Sequence, residues 1–86
     1  MALTFDIVTG KGLTHHEEGL DRVVIRRREA DFVPGSEIGI CVHHGPLLMQ
    51  TQACTVRLVR GAHTVPLDVE PGVLEVVDDR ITLVVT

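Results

Sequence analysis

The chain has 86 residues, of which 44% are hydrophobic and 23% are charged, and its formal net charge is -4. A chain of this length supports one domain, residues 1–86, and its core must be aliphatic because it holds two Phe and neither Trp nor Tyr. The acidic balance and scarce aromatic rings argue against nucleic acid as a partner, and the chain shows neither a membrane-spanning apolar run nor a signal peptide, so we expect a cytosolic protein.

The first half of the chain predicts strands separated by polar connections. Leu3 to Val8 alternates apolar and polar residues at its start, as a strand with one face on a core does, and this strand ends near Thr9-Gly10. Lys11 to Gly19 has no sustained apolar stripe and is predicted to be a connection, with or without a short strand. Strand formers resume over Arg22 to Arg26, and Asp31 to Gly35 contains the Pro-Gly pair of a turn.

The second half predicts a strand over Glu37 to Val42 and then two hairpins. In the first hairpin Cys54, Val56 and Leu58 share one face of a strand, and Gly61 marks the turn into His63 to Val69. The second hairpin joins Val73 to Val77 with Ile81 to Val85 through a polar Asp-Asp turn. Because no stretch has an apolar period of 3.6 residues, the pattern predicts an all-β sandwich or barrel.

Two histidine pairs, His15-His16 and His43-His44, are candidates for metal binding. Adjacent residues on a strand point to opposite faces, so neither pair chelates a metal within a single strand. The zinc-binding motifs Cys-x-x-Cys and His-Glu-x-x-His are both absent. We therefore predict solvated loop or edge histidines, with no metal and no cofactor.

Cys41 and Cys54 are the only cysteines. An isolated disulfide is uncommon in a reducing compartment and buried thiols behave as small hydrophobes, so both are predicted to be reduced core residues. Cys41 and His43 lack a residue that would orient them for thiol catalysis, and no nucleophile or phosphate-loop motif occurs, so we predict that the chain is not an enzyme. The alternative is a metal or thiol site in which both cysteines converge with His43 and His44.

A run of positive charge, Arg26-Arg27-Arg28, is followed by Glu29 and Asp31. Short mixed charge runs are usually solvated strand edges that also discourage aggregation. A docking patch for an acidic partner is the alternative interpretation, and we favour the edge.

Three segments of the chain, taken together and in their order, are more specific than any one of them. Residues 36–48 read Ser-Glu-Ile-Gly-Ile-Cys-Val-His-His-Gly-Pro-Leu-Leu, residues 55–60 read Thr-Val-Arg-Leu-Val-Arg, and residues 72–76 read Gly-Val-Leu-Glu-Val before Arg-Ile-Thr-Leu-Val at 80–84. In this order the segments resemble the N-terminal β-sandwich domain of the epsilon subunit of F-type ATP synthases. The resemblance implies a small antiparallel β-sandwich of about eight to ten short strands.

The resemblance also implies a function. The family domain is a non-catalytic part of the rotary central stalk, at the cytoplasmic face of the membrane, and couples ion-driven rotation to ATP synthesis. It docks on the gamma subunit and on the polar loops of the c-ring, and it meets the membrane only through the complex. By motif position, Glu37 and His44 would contact the c-ring from the base of the sandwich, and Thr9 would face gamma. Gly39 and Pro46 would set the backbone shape that places the loop.

Two further expectations limit this interpretation. The sequence diverges from the family at Val42, Ala53-Cys54 and Pro71. No helical segment follows the last strand within these residues, so we expect neither an inhibitory helical latch nor nucleotide binding. A structural role for the candidate contacts stays open, in which Glu37 solvates a strand start and His44 caps a turn. The alternative function is a free-standing β-sandwich adaptor that binds a protein or a small ligand.

Overall fold

The computed structural model describes residues 2–28 and 36–85, which form two β-sheets and no helix. The strands are β1 (Leu3–Thr9), β2 (Gly12–Leu20), β3 (Arg22–Arg26), β4 (Glu37–Cys41), β5 (Leu47–Thr51), β6 (Cys54–Arg60), β7 (His63–Val69), β8 (Gly72–Val77) and β9 (Arg80–Val85). One sheet has five strands in the order β2-β1-β9-β8-β5, and the other has four in the order β4-β3-β6-β7. The predicted all-β class and small sandwich are confirmed. All pairings are antiparallel except that β1 and β9 run parallel.

The core lies between the two sheets and is aliphatic apart from Phe5. The predicted inward faces of β6 and β9 are confirmed, because they supply the buried side chains Val56, Leu58, Ile81, Leu83 and Val85. Each buried Val, Leu or Ile side chain contributes roughly 1.5–3 kcal/mol relative to an exposed one. The alternation of these strands therefore determines which face packs inward.

Both predicted hairpins form. Asp78 and Asp79 have φ of 49° and 62°, so both central residues of the β8–β9 turn are left-handed, as a two-residue turn between twisted strands requires. Gly61, with φ of 58°, begins the β6–β7 turn. Asp and Gly adopt these angles more easily than most residues, so both turns could be predicted from the sequence.

The prediction of a connection over Lys11 to Gly19 is wrong, because β2 is a nine-residue strand at the edge of the five-stranded sheet. Its inward positions hold His15 and Glu17, and only Leu20 is buried. Backbone pairing with β1 forms this strand despite the missing apolar stripe, with two register shifts along the way. A strand that is stabilised by backbone hydrogen bonds rather than by buried side chains shows little apolar pattern in its sequence, so pattern reading does not detect it.

The strand β5 was not predicted from the sequence. It pairs with β8 and buries Thr51, a polar side chain whose Oγ1 donates a hydrogen bond to the carbonyl of Gly72 over 3.3 Å. Arg27 forms a bridge with Thr51, and the N–H of Arg28 donates to the carbonyl of Gln50 over 3.0 Å. The three arginines are exposed. Arg26 ends β3, an interior strand of its sheet, whereas Arg27 and Arg28 pair with the edge strand β5, and the edge interpretation stays a prediction. The predicted turn at 31–35 lies outside the described residues, as does the acidic end of the charge run.

Candidate functional site

The loop between β4 and β5 carries His44 and is fastened to the β8–β9 turn. The N–H of His43 donates to Oδ1 of Asp79 over 2.7 Å, and His43 itself is left-handed, with φ of 65°. His44 Nδ1 donates to the carbonyl of Gly45 over 2.7 Å, and its backbone N–H donates to the carbonyl of Cys41 over 3.2 Å. The imidazole of His44 therefore lies on an exposed loop, and a hydrogen bond to the backbone restricts its orientation.

Around this loop lies a shallow polar depression of about 340 Å³. We call it the histidine-loop surface, and its lining residues are His43, His44, Pro46, Asp78 and Asp79. The two aspartates come from a turn more than thirty residues further along the chain. A surface with two imidazoles and two carboxylates can accept hydrogen bonds from, and donate them to, a polar loop of another protein.

Glu37 begins β4, whereas His44 follows the end of the same strand. A five-residue strand is roughly 16 Å long, so the structure does not bring these two side chains together. Oε2 of Glu37 lies 2.9 Å from Nη1 of Arg57, and both side chains are about half exposed. The carboxylate therefore has a structural partner on β6 and also an open side toward solvent.

Gly39, in the middle of β4, leaves room for an arginine. A Cβ at this position would lie 2.7 Å from Nη2 and 2.8 Å from Nε of Arg22, so the guanidinium lies directly against the backbone of β4. From its position in the strand, Gly39 is predicted to permit the close approach of a neighbouring strand. The structure shows that a side chain of the neighbouring β3 makes that approach.

Thr9 is the last residue of β1, and its Oγ1 accepts a hydrogen bond from the N–H of Lys11 over 3.1 Å. It is partly buried and borders a small cleft of about 200 Å³ between the ends of the two sheets. Ile7, Val69 and Val85 supply apolar walls to that cleft. Thr9 therefore lies at one end of the sandwich, beside a cleft that residues of both sheets line.

An exposed line of aliphatic side chains crosses the outer face of the five-stranded sheet, and sequence analysis missed it. Leu13 on β2 is opposite Val8 on β1, Val8 is opposite Val84 on β9, and Val84 is opposite Val73 on β8. Leu13 is 61% exposed, Val84 46% and Val73 40%. We call these four residues the apolar row. The sequence signal was the adjacent apolar residues on β8 and β9, which break the alternation expected when one face of a sheet is solvated.

The prediction that both cysteines are core residues is wrong for Cys41, which is exposed on the edge strand β4. Cys54 is partly buried and packs against the core, and the two thiols form no disulfide. The register places Cys41 opposite Arg22 and Arg22 opposite Val59, so Cys54 lies at the other end of β6. The alternative in which cysteines and histidines converge does not occur, and residues 2–28 and 36–85 contain no group of three His, Cys, Asp or Glu side chains arranged to hold a metal ion.

His15 and His16 lie on opposite faces of the edge strand β2, as expected for neighbours on a strand. His15 packs edge-on against the ring of Phe5, with centroids 6.5 Å apart, and its Nε2 is buried 3.6 Å from Glu17. His16 is exposed and lies between two carboxylates. Hydrogen bonds to Glu18, the larger contribution, and to Asp6 raise the pKa of His16 above its ordinary value of 6.5.

No protein-family model matches the chain, and no curated protein is significantly similar to it. The family resemblance therefore stays a prediction that rests on the three sequence segments. The described residues also include no helix long and apolar enough to cross a bilayer.

Proposed function

We propose that this chain is a non-catalytic central-stalk subunit of an F-type ATP synthase, which docks on the gamma subunit and on the polar loops of the c-ring. In that position it lies at the cytoplasmic face of the membrane and couples ion-driven rotation of the ring to ATP synthesis. The sequence motifs motivate the proposal, and the observation that supports it most is the apolar row.

The apolar row supports a protein partner because its members are contiguous. Single exposed aliphatic residues are normal on a protein surface, whereas contiguous apolar patches larger than a few hundred Å² mark interaction sites, and the row would form part of such a patch. Four adjacent strands spaced by about 4.8 Å give the row a width of roughly 14 Å. It begins at Leu13 and Val8, close to the β1–β2 turn and to Thr9, the last residue of β1, which the resemblance assigns to gamma. Gamma therefore docks over this part of the five-stranded sheet.

The histidine-loop surface supports a second, polar contact. Its hydrogen bond from His43 to Asp79 fixes one loop on another, so a partner does not have to order the loop as it binds. Polar groups held in place give specificity and register, while apolar contacts supply most of the affinity. We assign this surface to the c-ring, with His44 at its centre and Glu37 as a separate contact at the opposite end of β4.

Torque transmission requires that the two docking surfaces move as one body. The apolar row and the histidine-loop surface share β8 and β9, since Val73 and Val84 belong to the row and Asp79 belongs to the connecting turn. A close-packed aliphatic core between two sheets resists deformation. The sandwich then acts as a rigid link between gamma and the ring.

Co-expression with the same organism's gamma subunit tests the proposal. Size-exclusion chromatography with mass determination is expected to show a stable one-to-one complex. If the chain elutes alone while gamma is folded, the rotor assignment is refuted and the free-standing adaptor becomes the leading interpretation.

A further inference from the structure

His16 has a carboxylate at each of its ring nitrogens. Nδ1 contacts the carboxylate of Asp6 on β1, and Nε2 lies 2.9 Å from Oε1 of Glu18 on β2 itself. A neutral imidazole has one N–H donor and one bare acceptor nitrogen, so it can satisfy only one of the two carboxylates. The bare nitrogen would then face a carboxylate oxygen, lone pair to lone pair. Only the imidazolium, with two donors, satisfies this arrangement.

The strand that carries His16 has few apolar contacts to hold it. Leu20 is its only buried residue among nine, and β2 forms an edge of its sheet. On the opposite face, Arg60 of β6 lies 3.2 Å from Glu17 and donates to the carbonyl of Gly19 over 3.4 Å. Beyond its backbone ladder, β2 is attached by charged contacts on each face and by a few apolar ones, among them His15 against Phe5 and Leu13 beside Val8.

The surroundings of His16 are acidic. On its own face, Asp6 and Glu18 are the ionisable groups in contact with the ring, and the neighbour of Asp6 on β9 is Thr82. The basic residue of β9 on that face, Arg80, is in register with Thr4 instead. On the far face of β2, Arg60 of β6 pairs with Glu17 of β2 itself. When His16 is neutral, two carboxylates remain close together with no positive charge between them.

We propose that protonated His16 is a clasp that fastens the edge strand β2 to β1, and that this attachment weakens as His16 loses its proton. The clasp is independent of any partner. Because these contacts raise the pKa of His16 in the folded chain, the stabilisation is complete below the ordinary value of 6.5 and is lost as pH rises through the folded value. Salt weakens the clasp, since the ring is exposed.

Nuclear magnetic resonance titration of His16 in the full chain is the first test. The titration midpoint is expected to fall in Asp6→Asn and in Glu18→Gln, because each removes one acceptor. The matched control is Glu75→Gln, which removes a carboxylate from the same outer face, one strand beyond Thr82. Glu75→Gln should leave the midpoint unchanged. A midpoint that stays at the wild-type value in Asp6→Asn and Glu18→Gln, or that Glu75→Gln lowers as much as they do, refutes the clasp.

Backbone amide exchange, corrected for intrinsic rates, tests whether the clasp acts on β2. In the wild type, protection of β2 amides is expected to fall relative to β6 and β7 as pH rises through the titration of His16, whereas His16→Gln shows no such change. If His16→Gln does not fold, Glu18→Gln, whose side chain is 74% exposed, serves as the second variant and should show a smaller change. The proposal is overturned if wild-type β2 loses no protection relative to β6 and β7, if the loss is uniform over all strands, or if the loss is as large in these variants as in the wild type.

Discussion

Replacing Gly72 by alanine should disrupt the five-stranded sheet at its β8–β9 pairing. Gly72 opens β8 and pairs with Val85 on one side and Thr51 on the other, so it is inside the sheet rather than at an edge. A Cβ at this position would lie 2.2 Å from the carbonyl oxygen of Val84 and 3.3 Å from Cδ1 of Leu83. The oxygen belongs to the backbone of an interior strand and cannot rotate away as a side chain would.

The expected loss in the free energy of unfolding can be worked out from the distance that the strands must move to accommodate the added methyl group. Separating carbon and oxygen to ordinary contact moves one strand by about 1 Å, and overpacking of this kind costs about 3 kcal/mol once a displaced ladder hydrogen bond is included. An 86-residue domain has a free energy of unfolding of roughly 4–13 kcal/mol, so the variant should fold with much of its stability lost. The melting temperature should fall by roughly 15 °C.

Urea denaturation followed by circular dichroism measures this loss. Gly10→Ala is the matched control, because a Cβ there meets nothing within 4 Å, and it should change stability by at most about 1 kcal/mol. If the free energy of unfolding of Gly72→Ala lies within about 0.5 kcal/mol of the wild-type value, the close approach of β8 and β9 does not constrain this position.

Other substitutions probe the core and the candidate surfaces. Leu83→Ala, at a fully buried position, should reduce the free energy of unfolding by about 3 kcal/mol, whereas Leu48→Ala, at a 71% exposed one, should change it little in the same urea assay. Arg57→Ala removes an exposed ion pair with Glu37 and should cost less than about 1 kcal/mol, with a smaller effect at high salt. The double substitution of Glu37 and His44 by alanine should leave folding intact but weaken retention in purified ATP synthase, and full retention would remove both from the ring contact.

Local signals in the sequence were sufficient for the two hairpins. Asp78 and Asp79 fall between two alternating apolar runs, and such residues adopt the left-handed angles that the turn needs. The strand β2 could not be found in the same way. Its inward residues His15 and Glu17 are placed by contacts with Phe5 and Arg60, which are distant in sequence.

The candidate site depends even more on long-range pairing. The sequence singled out His44 from its motif, but the anchoring of its loop by Asp79 requires knowledge of how β4, β8 and β9 are arranged. The apolar row exists only because the registers of four strands align Leu13 with Val84 and Val73. Exposure of Cys41, by contrast, follows from the local alternation of β4, in which Ile38 and Ile40 face the core and Cys41 faces outward.

The affinity of the gamma subunit for three versions of this chain tests the rotor assignment most directly. Val84→Asp places a charge in the apolar row, and Val65→Asp is the matched control because Val65 is 48% exposed on the other sheet. We predict that wild type and Val65→Asp bind gamma equally, and that Val84→Asp binds at least tenfold more weakly, a loss of about 1.4 kcal/mol. Equal binding by Val84→Asp, or no binding of gamma by the wild type, would contradict the account.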